Sequence, residues 1–263
     1  MDTRFLATDN GRLAYDVRGD GPLVICSPGM GDERDAFHPL ADRLAAAGHR
    51  VVTVDLRGHG DSDATFTRYG DEATADDLVA VMDELGAESA VLVGASMSAG
   101  AAALVAGRTP QRVDRLVLCG PFLRNGGSKL SAALMTVALL RPWGPGVWRS
   151  FAASLWPGLP EADRRARAAR VTANLTDGRW HAFRATVAGA DHSVLAPWLA
   201  KITAPALIVM GTADPDWPDP AAEAAWIAQT IGAEVMLVPE VGHAPMLEAP
   251  DAVATRVAAF LAA

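Results

Sequence analysis

Short, uninterrupted apolar runs alternate with longer amphipathic stretches through the first 120 residues. Leu23–Ser27 (LVICS), Arg50–Val54 (RVVTV), Ala90–Gly94 (AVLVG) and Leu116–Cys119 (LVLC) read as strands, and the stretches 35–48, 73–86 and 97–107 between them read as helices. Apolar runs without a polar face, separated by helices, indicate parallel strands covered on both sides. The pair Phe5–Ala7 and Arg12–Val17, joined by Asp9-Asn10-Gly11, predicts an antiparallel hairpin at the sheet edge. From Pro121 to about 200 the pattern is helical, without a convincing strand and with turns marked by Pro142, Gly144, Pro145, Pro157 and Pro160. Alternation then returns with Ala206–Met210 (ALIVM), a helix over 220–231, Glu234–Val238 (EVMLV) and a last helix from about 251. The pattern therefore predicts one α/β core from 1–120 and 201–263, with 121–200 inserted as a helical cap. Such a cap would lie over the sheet's C-terminal edge, where open α/β sheets bind ligands.

Composition narrows the class. Half of the 263 residues are apolar and 21% are charged, enough for a sizeable core and a poor fit to disorder or coiled coil. The formal charge of −8 argues against nucleic acid as the main partner. The cap carries ten Lys/Arg against four Asp/Glu, a net +6, which leaves −14 for the rest. Arg164, Arg165, Arg167 and Arg170 would form either the solvated face of a cap helix or a basic lid that draws in anionic substrates. The longest apolar stretch, Leu130–Leu140, is too short for a bilayer. MDTRFLATDNG lacks a signal-peptide core, and Cys26 and Cys119 are too few for a disulfide framework. A cytoplasmic protein without a membrane partner is expected.

Chemistry concentrates at three strand ends. AVLVGASMSAG (90–100) places Gly94-Ala95-Ser96-Met97-Ser98 between a buried strand and a small-residue helix, close to the nucleophile elbow G-x-S-x-G. The residues two before and two after the serine must be small for strand and helix to approach; here the second is Ser98, whose hydroxyl is expected to face neighbouring backbone. Ser96 would project above the sheet, and the Met97 N–H would open an oxyanion site. His243, in EVGHAPMLEAPD after the last strand, is the best-placed base of six histidines. Asp214, in GTADPDWPDP directly after ALIVM, is the candidate orienting acid. Asp216 and Asp219 lie further along and are expected to cap the turn or the next helix. His38, His49, His59, His181 and His192 are read as structural. Pro28-Gly29-Met30-Gly31-Asp32 after LVICS offers the Met30 N–H as the second oxyanion donor. Trp143, Trp148, Trp156 and Trp180, all within the cap, are candidate walls of an apolar substrate pocket. No metal-ligand spacing or dinucleotide loop occurs, so no metal and no cofactor are expected.

These motifs together, PGMG, DLRGHGDS, GASMS, GTAD and VGHAPMLEAPD, resemble the α/β-hydrolase fold family over nearly the whole chain. The resemblance implies an eight-stranded, mostly parallel sheet with helices on both faces and a helical cap after strand six. It implies a Ser96–Asp214–His243 triad cleaving an ester, thioester or lactone, and the cap tryptophans point to a small or medium hydrophobic substrate. Pro28 stands where the family usually has histidine, and Ser98 where it usually has glycine. The serine argues against haloalkane dehalogenases and epoxide hydrolases, which place aspartate there. Two rivals remain: a metal-free haloperoxidase, perhydrolase or C–C hydrolase on the same triad, and a slow ligand-sensing hydrolase, which the elbow's SAG continuation suggests. The implied strand order places the 90–94 strand between the two cysteines, so two free buried thiols are predicted.

Overall fold

The computed structural model describes residues 2–8, 10–126 and 129–263. Strands β1 (Arg4–Thr8) and β2 (Gly11–Arg18) form the expected hairpin; Asp9 of its turn lies outside the described residues. The remaining strands are β3 (Leu23–Ser27), β4 (Arg50–Val54), β5 (Ala90–Ala95), β6 (Val113–Cys119), β7 (Ala206–Gly211) and β8 (Glu234–Val238). They build one eight-stranded sheet in the order β1-β2-β4-β3-β5-β6-β7-β8, parallel from β4 onward. Every residue of β3, β5 and β7 is buried, as strands covered on both faces require. β6 starts three residues before its apolar run because Asp114 and Arg115 occupy its open N-terminal end.

The helices are α1 (His38–Ala46), α2 (Asp71–Glu84), α3 (Met97–Arg108), α4 (Lys129–Ala138), α5 (Gly144–Ser154), α6 (Glu161–Thr176), α7 (Trp180–Gly189), α8 (Ala196–Leu199), α9 (Pro220–Ile231), α10 (Pro245–Glu248) and α11 (Pro250–Ala262). Alternation of side chains along the strands separates two cores. Ile25, Leu92, Leu116 and Ile208 pack with α2, α3 and α9; Val24, Cys26, Val93 and Val209 pack with α1, α11 and the aromatic residues of α5 and α7. Cys26 and Cys119 are both buried and free, with β5 between their strands. Among the described residues no helix is long and apolar enough to cross a membrane.

Helices α4 to α8 all fall between β6 and β7. Neither reading of the basic cap describes the buried Arg167, and Arg170, although half exposed, is ion-paired as well. Arg167, with 11% of its side chain exposed, donates to Asp32 and to Asp35 at 2.8 Å. Arg170 reaches Glu33 at 2.7 Å and Asp35 at 2.6 Å. Both arginines fasten α6 to the acidic stretch that follows β3, while Arg165 pairs with Glu161 on its own helix.

The same stretch is held from below by Arg34. Its guanidinium donates to Asp16 at 3.0 Å, to Asp55, and to Thr3 at 2.8 Å, while its backbone N–H meets Asp55 at 2.7 Å. Burial pushes the Asp55 carboxyl up to about 6 against the pull of Arg34. Removing one member of a buried ion cluster leaves an uncompensated charge. Arg34→Ala is expected to cost about 3–5 kcal/mol in urea unfolding; a loss under ~1 kcal/mol would show that water replaces the guanidinium without difficulty.

Candidate active site

β5 delivers Ser96 to the C-terminal edge of the sheet. Ser96 has φ 56° and ψ −125°, a conformation that costs energy for a residue with a Cβ and persists only where its surroundings enforce it. Its N–H donates to the Cys119 carbonyl at 2.9 Å, which anchors the turn on β6. A Cβ on Gly94 would come within 3.0 Å of the Ser98 carbonyl and the Ala99 nitrogen, so the strand–helix approach does demand a glycine there. At the other flanking position Ser98 is fully buried. Its hydroxyl donates to the Pro28 carbonyl at 2.6 Å and receives the Ser27 hydroxyl at 3.1 Å. The two departures from the family pattern thus meet each other, and they tie the elbow to the loop after β3.

That loop turns at Gly29–Asp32, with Asp32 N–H donating to the Gly29 carbonyl at 3.2 Å and Gly31 at φ +79°. This is the geometry of a type II turn, which needs a residue tolerant of positive φ at its third position. A Cβ on Gly29 would lie 2.8 Å from Ser96 Cβ, so the backbone passes close to the serine. Among the described residues neither the Met30 N–H nor the Met97 N–H has a hydrogen-bond partner.

His243 follows β8. Its Nδ1 lies 2.8 Å from Asp214 Oδ2 and 3.4 Å from Asp216 Oδ2. Its N–H donates to the Leu155 carbonyl at 2.8 Å, joining the histidine loop to the region between α5 and α6. The Glu248 carboxylate of α10 accepts from the N–H groups of Gly158, Gly242 and Ala244 at 2.7, 2.9 and 3.0 Å. Glu248 therefore sets the shape of the loop on both sides of His243. Burial opposes the imidazolium, but the Asp214 and Asp216 carboxylates outweigh it and raise the histidine to about 9. Asp214, Asp216 and His243 offer ligand atoms within 4.8 Å of one another, close enough to share an ion. Both carboxylates face one ring nitrogen, an arrangement that also stabilises a proton there.

Ser96 and His243 line one cavity of about 180 Å³, together with Gly29 and Met30. Among the described residues the Ser96 hydroxyl makes no hydrogen bond; in free enzymes such contacts are often long and tighten only around substrate. Its upper wall is apolar, from Met135, Leu139, Trp148, Trp156 and Val187. Two of the four predicted tryptophans are therefore placed there and two are not. Trp143 is 54% exposed on the outer side, and Trp180 is buried against Phe183 with its N–H on the Leu139 carbonyl at 3.1 Å. Neither lines the cavity: Trp143 sits in the turn before α5 and faces outward, and Trp180, at the start of α7, packs into the interior away from it.

Asp219 caps α9 as expected, accepting from Ala222 N–H at 2.9 Å. Among the described residues Asp216 caps no turn or helix; it turns back to the imidazole and the cavity. Phe122, three residues after β6, also lines the cavity, with its ring centroid 5.9 Å from that of His243. Its position at a strand end was the available signal. Of the remaining histidines, His59 bonds the Arg57 carbonyl at 2.9 Å and burial depresses it to about 4, while His192 pairs with Asp71 at 2.7 Å.

Residues 22–250 match the family model for the alpha/beta hydrolase fold. The chain belongs to the α/β-hydrolase fold family. This α/β-hydrolase is 29% identical over 222 residues to the 2-(acetamidomethylene)succinate hydrolase of Mesorhizobium japonicum, covering 77% of this chain and 76% of that one. Among solved structures, the enol-lactonase from Burkholderia xenovorans superposes with a TM-score of 0.87 at 24% identity, over 99% of this chain and all of the other. The bromoperoxidase from Bacillus anthracis superposes at 0.88 with 18% identity over the full length of both. At these identities the structures speak for the fold alone. The fold, the family model and the hydrolase-named relatives make the protein an enzyme of the hydrolase type.

Proposed function

We propose that this α/β-hydrolase is a serine hydrolase cleaving a small to medium hydrophobic carboxylic ester, or a related thioester or lactone. The observation that carries the reading is the strained Ser96 sharing an apolar cavity with His243, whose Nδ1 is engaged by Asp214. Ser96 Oγ attacks the carbonyl carbon while His243 Nε2 takes its proton. The oxyanion is met by the Met30 and Met97 N–H groups, each worth roughly 3–4 kcal/mol in comparable enzymes. His243 then protonates the leaving alcohol, and the acyl–oxygen bond to it breaks. Water attacks the acyl-Ser96 ester by the same route in reverse, which releases the acid and restores the hydroxyl. Asp214 holds the Nδ1–H tautomer and offsets the imidazolium charge as it forms.

No cofactor enters this chemistry, and a small molecule is the partner. A cytoplasmic setting accords with two unpaired, buried thiols. The same geometry passes an acyl group to peroxide as well as to water, so a perhydrolase or haloperoxidase differs only in the second acceptor. Ser98 counts against the sensor reading: its hydroxyl is used to hold Pro28, so the SAG sequence has a local structural reason. A panel of p-nitrophenyl esters run beside a peroxide-dependent halogenation assay tests the assignment. Multiple turnovers on short acyl chains without peroxide are expected. Halogenation without ester turnover would replace the hydrolase by the haloperoxidase.

A further inference from the structure

The loop after β7 brings two carboxylates, not one, to His243. Asp214 is fully buried, and its Oδ1 accepts the Asp216 N–H at 3.0 Å. That short turn folds the Asp216 side chain back toward the ring, where Oδ2 stands 3.4 Å from Nδ1. Unlike Asp214, Asp216 keeps 19% of its side chain exposed and lines the cavity. The remaining charges around the imidazole and cavity are otherwise occupied. Glu248 faces His243 from α10 but spends its oxygens on three backbone N–H groups. Asp32, which also lines the cavity, is neutralised by Arg167. Among the described lining residues none is Lys or Arg.

We propose that Asp216 is the specificity-determining residue for substrate charge: the cavity accepts uncharged acyl groups and turns away esters whose acyl chain ends in a carboxylate. This rests on the Ser96–His243 reading above and deepens it. When His243 is neutral, the state in which it acts as the base, a bound carboxylate would face Asp216 with no cation among the described lining residues. Repulsion between two unit charges roughly 8 Å apart, at an effective dielectric near 20, amounts to a factor of about 30 in binding. The same side chain stabilises the imidazolium together with Asp214, so it also sets the pH at which the base becomes available. The sign follows directly. A histidine raised to about 9 holds its proton at neutral pH, so kcat/KM climbs with pH toward that value, and loss of the Asp216 charge moves the rise to lower pH.

The test compares p-nitrophenyl valerate with p-nitrophenyl hydrogen glutarate, which differ by a terminal carboxylate, on the wild type, Asp216→Asn and Asp216→Glu. The wild type is expected to favour the valerate by at least ~10-fold in kcat/KM. Asp216→Asn should cut that preference to under about 3-fold and lower the inflection of the valerate pH profile by about one unit, whereas Asp216→Glu retains both. Each readout is a ratio or a midpoint within one preparation, so a general fall in activity does not imitate it. An Asp216→Asn enzyme with the wild-type preference and inflection overturns the proposal, provided that Ser96→Ala is inactive. Full activity in Ser96→Ala would remove the serine reading itself, and this inference with it.

Discussion

Ser96→Ala is expected to lower kcat by roughly 10⁴–10⁶-fold and to abolish labelling by a fluorophosphonate probe. The size of the effect follows from what the serine supplies. Without Oγ there is no acyl-enzyme, and the reaction falls back on water attacking a carbonyl still polarised by the Met30 and Met97 amides. Those donors and the cavity alone account for the residual acceleration seen when the nucleophile of a serine hydrolase is deleted. Alanine keeps a Cβ at the φ 56° position, so the elbow's strain stays and the fold is not relieved or broken by the change. Thermal unfolding of the variant should therefore stay close to that of the wild type. Retained probe labelling would mean that another nucleophile reacts, and Ser98, whose hydroxyl is committed to Pro28, would be a poor substitute.

Asp214→Asn is expected to lower kcat by about 10³–10⁴-fold, with KM little changed. Asparagine matches the shape of the buried acid but cannot stabilise an imidazolium. It also offers an amide N–H toward Nδ1, which favours the wrong tautomer. The loss should stop short of that caused by removing the nucleophile, because Asp216 Oδ2 lies 3.4 Å from the same nitrogen and takes over part of the role. Asp214→Asn combined with Asp216→Asn should consequently be worse than the product of the single effects, since each carboxylate supports the imidazole more when the other is gone. Steady-state kinetics on a neutral ester decides the point. If Asp214→Asn stays within tenfold of the wild type while Asp216→Asn loses a thousandfold, the orienting acid is Asp216 and the reading of GTADPDWPDP must be reversed.

Much of the fold and of the candidate site was legible because the relevant physics is local. A central parallel strand covered on both faces reads as a near-continuous apolar run, so LVICS and RVVTV matched their strands residue for residue; EVMLV matched through its β-branched and aliphatic residues, although β8 is an edge strand with Val235 and Leu237 exposed. An elbow forces small residues within two positions of its serine, and Gly94 meets the Ser98 carbonyl for that reason. Asp214 and His243 were found from their places just after strands, since parallel strands deliver such loops to one edge. What stayed hidden depends on partners far away in the chain. Asp216 could not be told from a capping residue until His243 arrived beside it. Arg167 and Arg170 looked like a solvated stripe until α6 lay over residues more than a hundred positions earlier.

By itself, then, the chain determined the order of elements, the strained serine turn and the loops that meet at the sheet edge, because hydrophobic period and steric crowding act between near neighbours. Only the tertiary structure decided which tryptophans face the cavity, how Ser98 and Pro28 answer each other across 70 residues, and which carboxylate remains exposed to a substrate. Those outcomes depend on helix rotation and on desolvation, and neither exists until distant segments have packed.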